Sequence, residues 1–342
     1  AVTLKVYLSY YHCKKISLQH FKKALNMNAR RQLRFNYFLL WLCTFFSLAS
    51  CAQADVKTSN FAIEDIGGGI YVHHGQHLDI DTGYQGDICN ISFVVGTKGV
   101  AVIDTGGSLK VGNELRDAIK KVTQLPILYV INTHVHPDHI FGNAAFLQDK
   151  PVFVGHAKLA DAMQLRKEAY DKLNIKYLGA DAKGSEIVKP TLLVKEPTVL
   201  DLGNRALTIT PYVAAHTNTD ISVIDDKTHT LFTGDLLFID RTPVIEGDIK
   251  GLIAAIDILK TYPVTQVVPG HGPFTKDWLT ALNNEQRYLN VLLADIRTNI
   301  KKGVSMENTM DTAAASEKDK WLLFDIANRR NVNTIFPALE WE

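Results

Sequence analysis

Cysteine is scarce in this sequence, which contains only four cysteines among 342 residues. Cys13, Cys43 and Cys51 all precede residue 55, so Cys89 is the single thiol in the rest of the chain. One thiol cannot form an internal disulfide, and it cannot supply a zinc site built from several cysteines. These absences exclude a disulfide scaffold and a zinc–cysteine module. We expect Cys89 to pack as a small apolar residue on a strand.

An excess of charge of either sign is also missing. The chain has 37 Lys and Arg against 36 Asp and Glu, a net charge of +1, and no extended basic face follows the N-terminal region. Phosphate binding depends on clustered Lys and Arg, so the sequence predicts no nucleic-acid partner. A hydrophobic content of 46% and a charged content of 21% are typical of a folded globular protein with one large or two smaller domains.

The N-terminal region differs in composition from the rest. Residues 14–34 are rich in Lys and Arg, and the 14 residues 37–50 are almost wholly apolar. A basic segment before a short apolar one is typical of a secretory signal, and this apolar run is shorter than the roughly 20 residues of a spanning helix. The signal is in good register from Met27, so we expect residues 1–26 to be upstream sequence. The predicted division is an export segment, 1–54, and a folded domain, 55–342.

Two cleavage sites are compatible with this signal. Residues 48–51, Leu-Ala-Ser-Cys, resemble a bacterial lipobox, which would lipidate Cys51 and attach the protein to a membrane. Residues 52–54, Ala-Gln-Ala, would instead release a soluble chain that begins at Asp55. Either site predicts an exported, periplasmic protein. A buried or anchoring N-terminal helix is the alternative.

From Ile66 onward, short β-rich runs alternate with helical stretches, and no internal repeat or low-complexity tract interrupts them. The apolar patterns predict strands at 70–72, 88–95, 100–103, 127–131, 151–154, 198–202, 206–213, 222–224, 230–232 and 266–268. They predict helices at 108–122, 140–147, 158–183, 249–259 and 275–301. Two successive halves, each with strands followed by helices, indicate an α/β sandwich.

A histidine cluster, THVHPDHIFGN, directly follows the apolar run 127–131. His134 and His136 are two positions apart at the end of a strand, which directs both imidazoles to the same side. Asp138 and His139 follow and can face a second ion. Imidazole and carboxylate are the ligands that catalytic zinc prefers. The alternative is a solvated turn that is rich in His and Asp.

Three further residues of the same types also follow apolar runs. His216 comes after the strand at 206–213, Asp235 after 230–232 and His271 after 266–268. Ligand-binding residues collect at strand ends in α/β folds. Glycines beside Asp235 and His271 permit backbone turns that other residues resist. The combined pattern therefore favours a metal site over a solvated turn.

The order HxHxDH, His, GD and PGHG resembles the metallo-β-lactamase-fold superfamily of binuclear metallohydrolases, and the resemblance extends from Ile66 to His271. It implies a four-layer αββα sandwich with two zinc ions at one edge between the sheets. Asp104 matches an aspartate that orients the ligands from behind, with a simple turn residue as its alternative. The implied ligands are His134, His136 and His216 for the first zinc, Asp138, His139 and His271 for the second, and Asp235 as a bridge.

Within that superfamily, the apparent export signal, residues 240–243 and residues 336–342 are similar to the quinoprotein relay system zinc metallohydrolases. This similarity implies a periplasmic quinoprotein dehydrogenase as a partner. Two departures matter. The third histidine is followed by Thr-Asn-Thr-Asp where the superfamily often has Ser/Thr-x-Gly, so the loop there is expected to differ. Asp235 stands where many zinc β-lactamases have Cys or Ser, which favours the broader hydrolase branch of glyoxalase II and the lactonases.

We expect a zinc hydrolase that uses a metal-bridging hydroxide, oriented by Asp138, on the carbonyl of an ester, thioester, lactone or lactam. Three alternatives remain open. A β-lactamase would use the same scaffold, and an iron-dependent sulfur or persulfide oxygenase would use the first three histidines alone. A non-catalytic protein that handles a metal or quinone cofactor is the third.

For several other polar residues, the sequence favours a place in a loop or turn over a role in the site. His73, His74 and His77 are expected in a solvated hairpin loop, His156 in a loop and His229 in a turn. Arg241 would either meet an anionic substrate or pair with Asp240 or Glu246.

Overall fold

Two β-sheets form the centre of the computed structural model, which describes residues 61–342 apart from Thr82. The predicted export signal and its cleavage sites at Cys51 and Asp55 lie outside the described residues. Within residues 61–342, no helix has both the length and the apolar character needed to cross a membrane.

The first sheet has seven strands in the sequential order β1 to β7. The strands β1 to β4 are antiparallel to their neighbours, whereas β4 to β7 run parallel. Their bounds are β1 Glu64–Gly67, β2 Ile70–His73, β3 Ile91–Val95, β4 Val100–Ile103, β5 Ile127–Ile131, β6 Val152–His156 and β7 Leu192–Val194.

The second sheet has five strands in the order β12-β11-β10-β9-β8. All neighbours are antiparallel except β11 and β12, which are parallel. The strands are β8 Thr198–Asp201, β9 Ala206–Pro211, β10 Ile221–Asp225, β11 Thr230–Phe238 and β12 Gln266–His271.

Seven α-helices connect and cover these strands within the described residues. They are α1 Leu109–Val122, α2 Pro137–Ile140, α3 Leu159–Leu178, α4 Ile249–Leu259, α5 Trp278–Lys301, α6 Met306–Thr312 and α7 Phe324–Leu339. Short 3-10 segments occur at Asn143–Asp149, Gly179–Ala182 and Ala315–Lys320.

Within the described residues, three of the four hydrophobic clusters lie between the layers of the fold. Ile103 and Ile131 of the first sheet meet Phe232 and Val268 of the second in the core between the sheets. On the outer face of the first sheet, α1 buries its apolar side, including Leu115. The helices α4, α5 and α7 pack together on the outer face of the second sheet. The αββα sandwich implied by the motif is therefore confirmed.

Most of the predicted elements are present, but the sequence predicts no bounds for α6 and α7, which follow residue 301. The helix predicted at 140–147 is wrong: α2 ends at Ile140, and a 3-10 segment begins after Gly142. A Cβ atom at Gly142 would lie 1.9 Å from the carbonyl oxygen of Thr105, so this crossing requires glycine. The strands β1 and β7 have four and three residues, too short for a clear alternation of apolar and polar positions. Cys89 is buried as expected, but it precedes β3 instead of lying on it.

Arg205 forms a buried ion pair with Asp225 of the second sheet and also donates hydrogen bonds to the first half of the chain. Its guanidinium donates Nε to Oδ1 of Asp225 at 2.6 Å and Nη2 to Oδ2 at 2.8 Å. Its Nη1 donates to the carbonyl oxygens of Gly68 and Val95 in the first half of the chain, at 2.7 and 2.9 Å. Arg205 is only 5% exposed, and Asp225 is fully buried. These hydrogen bonds replace the ones that the two charged groups make with water in the unfolded chain.

We predict that Arg205→Met lowers the free energy of unfolding by about 3–5 kcal/mol, because it leaves the buried carboxylate of Asp225 without its partner. Urea denaturation of the purified protein measures the change. Lys98→Met is the matched control, since the pair of Lys98 with Asp201 is exposed and its removal should cause no measurable loss. Equal effects of the two substitutions would contradict the role given to Arg205.

Candidate metal centre

The seven clustered His and Asp side chains come from both halves of the sandwich and meet at one edge. His134 and His136 follow β5, and Asp138 and His139 lie on α2. In the second half, His216 follows β9, and His271 ends β12. Asp235 lies within β11, which continues to Phe238, so the expectation that the strand ends before Asp235 is wrong. All seven are buried except Asp138, which is partly exposed.

The first group of ligand atoms consists of three imidazole nitrogens and one carboxylate oxygen. Nδ1 of His136 lies 3.0 Å from Nε2 of His134 and 2.9 Å from Nε2 of His216. Oδ2 of Asp235 lies 3.3 Å from Nε2 of His216 and 3.7 Å from Nε2 of His134. A tetrahedral zinc ion with bonds of about 2.0–2.1 Å holds its ligand atoms about 3.3 Å apart. The group therefore has the dimensions of a zinc site.

The second group lies on the other side of Asp235. Nε2 of His139 is 3.3 Å from Oδ1 of Asp235, and Nε2 of His271 is 3.3 Å from Oδ2. Oδ2 of Asp138 is 3.5 Å from both of these nitrogens. Asp235 thus faces both groups. A Cβ atom at Gly270 would lie 2.0 Å from Oδ1 of Asp235, so glycine is required at that position for the carboxylate to fit.

Four of the five imidazoles have their second nitrogen hydrogen-bonded to an oxygen. Nδ1 of His216 is 2.6 Å from the carbonyl oxygen of Val244, and Nδ1 of His271 is 2.6 Å from that of Ile88. A carbonyl oxygen can only accept, so each of these nitrogens carries the proton. The opposite nitrogen, Nε2, consequently presents its lone pair to the centre, as metal binding requires.

Asp104 fixes two more imidazoles. Its Oδ2 accepts from Nδ1 of His139 at 2.8 Å and from Oγ1 of Thr133 at 2.7 Å, and Oδ1 accepts from the amide of Thr133. Because the hydroxyl of Thr133 donates to Asp104, it accepts from Nδ1 of His134 at 3.0 Å. Asp104 has a left-handed backbone, with φ of 56°, which aims its carboxylate at this loop. It therefore lies behind the ligands, as expected.

His136 differs from the other four imidazoles in the nitrogen that it presents. Nδ1 faces the centre, and Nε2 lies 2.9 Å from Oε2 of Glu246 in an ion-pair contact. The negative charge of Glu246 favours the proton on Nε2 and leaves the lone pair on Nδ1. From the sequence, Glu246 is predicted only as a partner of Arg241, and no local pattern indicates its contact with His136.

Two buried acceptors at the centre have no hydrogen bond within residues 61–342. They are Nε2 of His139 and Oδ1 of Asp235, which face each other at 3.3 Å. Nδ1 of His139 donates to Asp104, so Nε2 faces Oδ1 of Asp235 as a lone pair when the ring is neutral and as an N–H donor when it is protonated. The neutral ring leaves two opposed acceptors in a buried site, which a metal cation between them would satisfy. The donor set therefore fits a metal ion.

The family model described as "Metallo-beta-lactamase superfamily" matches residues 84–271, which is more than half of the chain and includes all seven side chains. The chain belongs to the metallo-beta-lactamase superfamily. This match and the site geometry together support a metal-dependent hydrolase.

Curated and solved members of the superfamily show where the chain is similar. It is 28% identical to the human acyl-coenzyme A thioesterase MBLAC2 over 213 residues, which cover 55% of this chain and 74% of the thioesterase. The sec-alkylsulfatase Pisa1 from Pseudomonas sp. superposes with a TM-score of 0.63 at 16% identity, over 81% of this chain and 50% of Pisa1. A metallo-beta-lactamase from Pontibacter korlensis gives 0.54 at 22% identity, over 67% of this chain and 98% of that protein. These structures support the fold alone.

The electrostatics of this superfamily site keep three of the clustered side chains, His134, His216 and Asp235, in the protonation state that binds metal. Burial, reinforced by neighbouring imidazoles, holds the pKa of His134 well below its ordinary value and lowers the pKa of His216 to about 4. Burial raises the pKa of Asp235, but the charges of His271 and His139 outweigh it, so the net shift is well downward. At neutral pH the two imidazoles are therefore neutral and the carboxylate is ionised.

His139 shows the opposite shift. Burial lowers its pKa, but the carboxylates of Asp235, Asp138 and Asp104 raise it well above the ordinary value. The three carboxylates therefore stabilise a positive charge beside His139, either a proton or a metal cation.

Two histidines outside the site, His73 and His156, do not match the sequence predictions. His73 is buried at the end of β2, where Nδ1 contacts the carbonyl oxygen of Ala62 at 2.8 Å and Nε2 contacts Oδ1 of Asp87 at 2.7 Å. It is therefore not in a solvated loop. His156 ends β6 and is buried, so the loop prediction for it is also wrong.

Arg241 forms no ion pair with Asp240 or Glu246. Its guanidinium is buried, and Nη1 lies 3.4 Å from Nδ1 of His271, beside the second group. An anionic substrate as its partner stays a prediction. His229 occupies a turn with a left-handed φ of 53°, as expected.

We predict that His73 stabilises the fold more at low pH than at high pH. Burial lowers its pKa, but the hydrogen bond to Asp87 outweighs this and raises the pKa in the folded state above 6.5. The stabilisation is therefore complete below the unfolded-state pKa and is lost as the pH rises through the folded-state pKa. The loss of unfolding free energy in His73→Gln should be larger at pH 6 than at pH 9.

Chemical denaturation of wild type and His73→Gln at the two pH values measures this difference, with His229→Gln in the exposed turn as the control. A loss in His73→Gln that is independent of pH would show that the charge on His73 contributes nothing.

Proposed function

We propose that this chain is a binuclear zinc hydrolase that cleaves an activated acyl bond, with a thioester as the preferred substrate class. The observation that carries the proposal is the position of Asp235 between two groups of ligand atoms whose lone pairs all converge. In this proposal, His134, His136 and His216 hold the first zinc, and Asp138, His139 and His271 hold the second. Asp235 contributes to both.

Two zinc ions bound here would lower the pKa of a shared water to about 7 and would polarise a substrate carbonyl. The side chains have separate tasks around that chemistry. Asp235 brings a negative charge that reduces the repulsion between two dications in a buried site. Asp138 is the most accessible of the seven ligand side chains, so it can accept a hydrogen bond from the nucleophile and orient it. Asp104 and Glu246 hold His139 and His136 in the required tautomers.

The choice of a thioester rests on the relative with that activity, the human acyl-coenzyme A thioesterase. Esters and lactones remain substrates of the same chemistry. Asp235 in place of Cys or Ser argues against a β-lactamase. An iron-dependent oxygenase would use the three histidines of the first group, and it would leave the convergent second group without a function. A non-catalytic accessory protein would show metal binding without turnover.

We also propose that the protein is exported, on the basis of the composition of residues 14–50 and the two cleavage sites that follow. Export is compatible with a soluble form and with a lipid anchor at Cys51. A periplasmic quinoprotein dehydrogenase as a partner rests only on the resemblance of residues 240–243, residues 336–342 and the signal to the quinoprotein relay hydrolases.

We predict that the wild-type chain binds about two zinc ions. Removal of a ligand from the first group should cause the loss of zinc and of hydrolytic activity. His134→Ala removes one of three imidazoles around the first ion and should reduce hydrolysis at least 100-fold. Elemental analysis gives the metal content, and thiol release from an acyl-coenzyme A gives the rate. The substrate panel also contains a lactone, a chromogenic cephalosporin and an alkyl sulfate. His229→Ala is the control, and full metal content and activity in His134→Ala would rule out the proposed centre.

We predict that Asp235→Asn weakens the second zinc before the first. The amide keeps the size of the side chain but loses the charge that offsets two dications, and the second group has only two imidazoles. Zinc titration into the wild type and the variant, in competition with a chelating indicator, measures both affinities. Two equally tight ions in both proteins would make Asp235 a purely structural turn residue.

A further inference from the structure

The C-terminal helix α7 lies outside the residues that match the superfamily, yet it contacts the loop behind the first ligand group. Asn331 of α7 is fully buried. Its Nδ2 donates to the carbonyl oxygen of Pro243 at 2.7 Å, and its Oδ1 accepts from the amide of Ile245 at 3.0 Å. One side-chain amide therefore holds the backbone on both sides of Val244.

Val244 is the residue whose carbonyl oxygen accepts from Nδ1 of His216 at 2.6 Å. The carbonyl of Pro243 and the amide of Ile245 point to α7, and the carbonyl of Val244 between them points to the site. The orientation of that carbonyl is consequently set by the two hydrogen bonds that Asn331 makes. A buried amide and carbonyl without partners would be costly, so the segment cannot keep this conformation without them.

The backbone on either side of residues 243–245 is held by other partners, so these three residues depend on Asn331 and His216 for their own hydrogen bonds. Thr242 is held by Leu322 through its amide and hydroxyl, and the amides of Glu246 and Gly247 donate to the carbonyl oxygen of His216. Between these anchors, the hydrogen bonds within the described residues that involve 243–245 are those with Asn331 and His216. Asn331 is itself fixed, since its Nδ2 also donates to Oη of Tyr288 at 2.8 Å.

We propose that Asn331 is a positioning residue for His216, acting through the carbonyl of Val244 so that Nε2 of the imidazole presents its lone pair to the first ligand group. The proposal rests on the proposed zinc function of that group. It makes α7 part of the centre although no residue of α7 touches a ligand atom. The helix is also attached to the loop before Ile88, since Arg330 pairs with Asp79 at 2.6 Å.

The test compares Asn331→Ala with Asn328→Ala. Asn328 is a buried asparagine one turn earlier on α7, bonded to Tyr288 and Ala313 but not to residues 243–245. Both substitutions remove buried hydrogen bonds of one helix, so similar losses of thermal stability are expected. Zinc titration against a chelating indicator should show one of the two zinc affinities about tenfold or more weaker in Asn331→Ala. Both affinities should be unchanged in Asn328→Ala.

Repeating the comparison in a His271→Ala background, which breaks the second group, assigns the weakened affinity to the first. A metal-free readout is the tautomer of His216 by ¹⁵N imidazole NMR, which should be Nδ1–H in wild type and mixed in Asn331→Ala. Should Asn331→Ala not fold, Asn331→Asp keeps the size and the acceptor and removes the donor to Pro243, with the same expected loss.

Wild-type zinc affinities and a wild-type tautomer in the Asn331 variants would overturn the positioning role and leave the zinc function intact. A wild type that binds no zinc would instead overturn the zinc function. The NMR comparison would then decide the positioning of His216 without metal.

Discussion

The outward-facing nitrogen of each imidazole is held by an oxygen, and the rest of the centre depends on that constraint. A neutral imidazole has one proton and one lone pair, so fixing the proton on one nitrogen commits the other to a metal. The acceptors are the carbonyls of Ile88 and Val244, the carboxylates of Asp104 and Glu246, and the hydroxyl of Thr133. Without them, the five rings would have no defined tautomer, and the site would have to reorganise before it could bind an ion.

The sandwich supplies these acceptors from parts of the chain that are far apart in sequence. The strands of both sheets bring the ligands to one edge, and loops from the two halves cross behind them. The carbonyl oxygen of Ile88, in the first half, accepts a hydrogen bond from Nδ1 of His271, in the second half. This hydrogen bond links the two halves at the site itself. Helix α7 follows the residues that match the superfamily model, and its hydrogen bonds hold the segment that contains Val244. In our proposal, metal binding and the packing of the C-terminal helices are therefore coupled.

The clustering of the seven His and Asp side chains could be predicted from the sequence, because they are residues of a distinctive type near the ends of apolar runs. The sandwich was also predictable, since the strands that build its core have strong apolar patterns. The oxygens behind the imidazoles were mostly not predictable from the sequence. A backbone carbonyl such as that of Val244 has no signature in the residue type. Asp104 was recognised only by resemblance. Glu246 and Asn331 act across the fold, with partners 110 and 86 positions away, and no local pattern encodes such a contact.

The central claim is that two metal ions bind between preoriented ligands, and anomalous diffraction at the zinc absorption edge from crystals grown with zinc tests it most directly. We predict two peaks about 3.5–4 Å apart on either side of the Asp235 carboxylate. The first should be bound by Nε2 of His134 and His216 and by Nδ1 of His136. A single peak, or two peaks that leave Asp235 without a contact to both, would contradict the account.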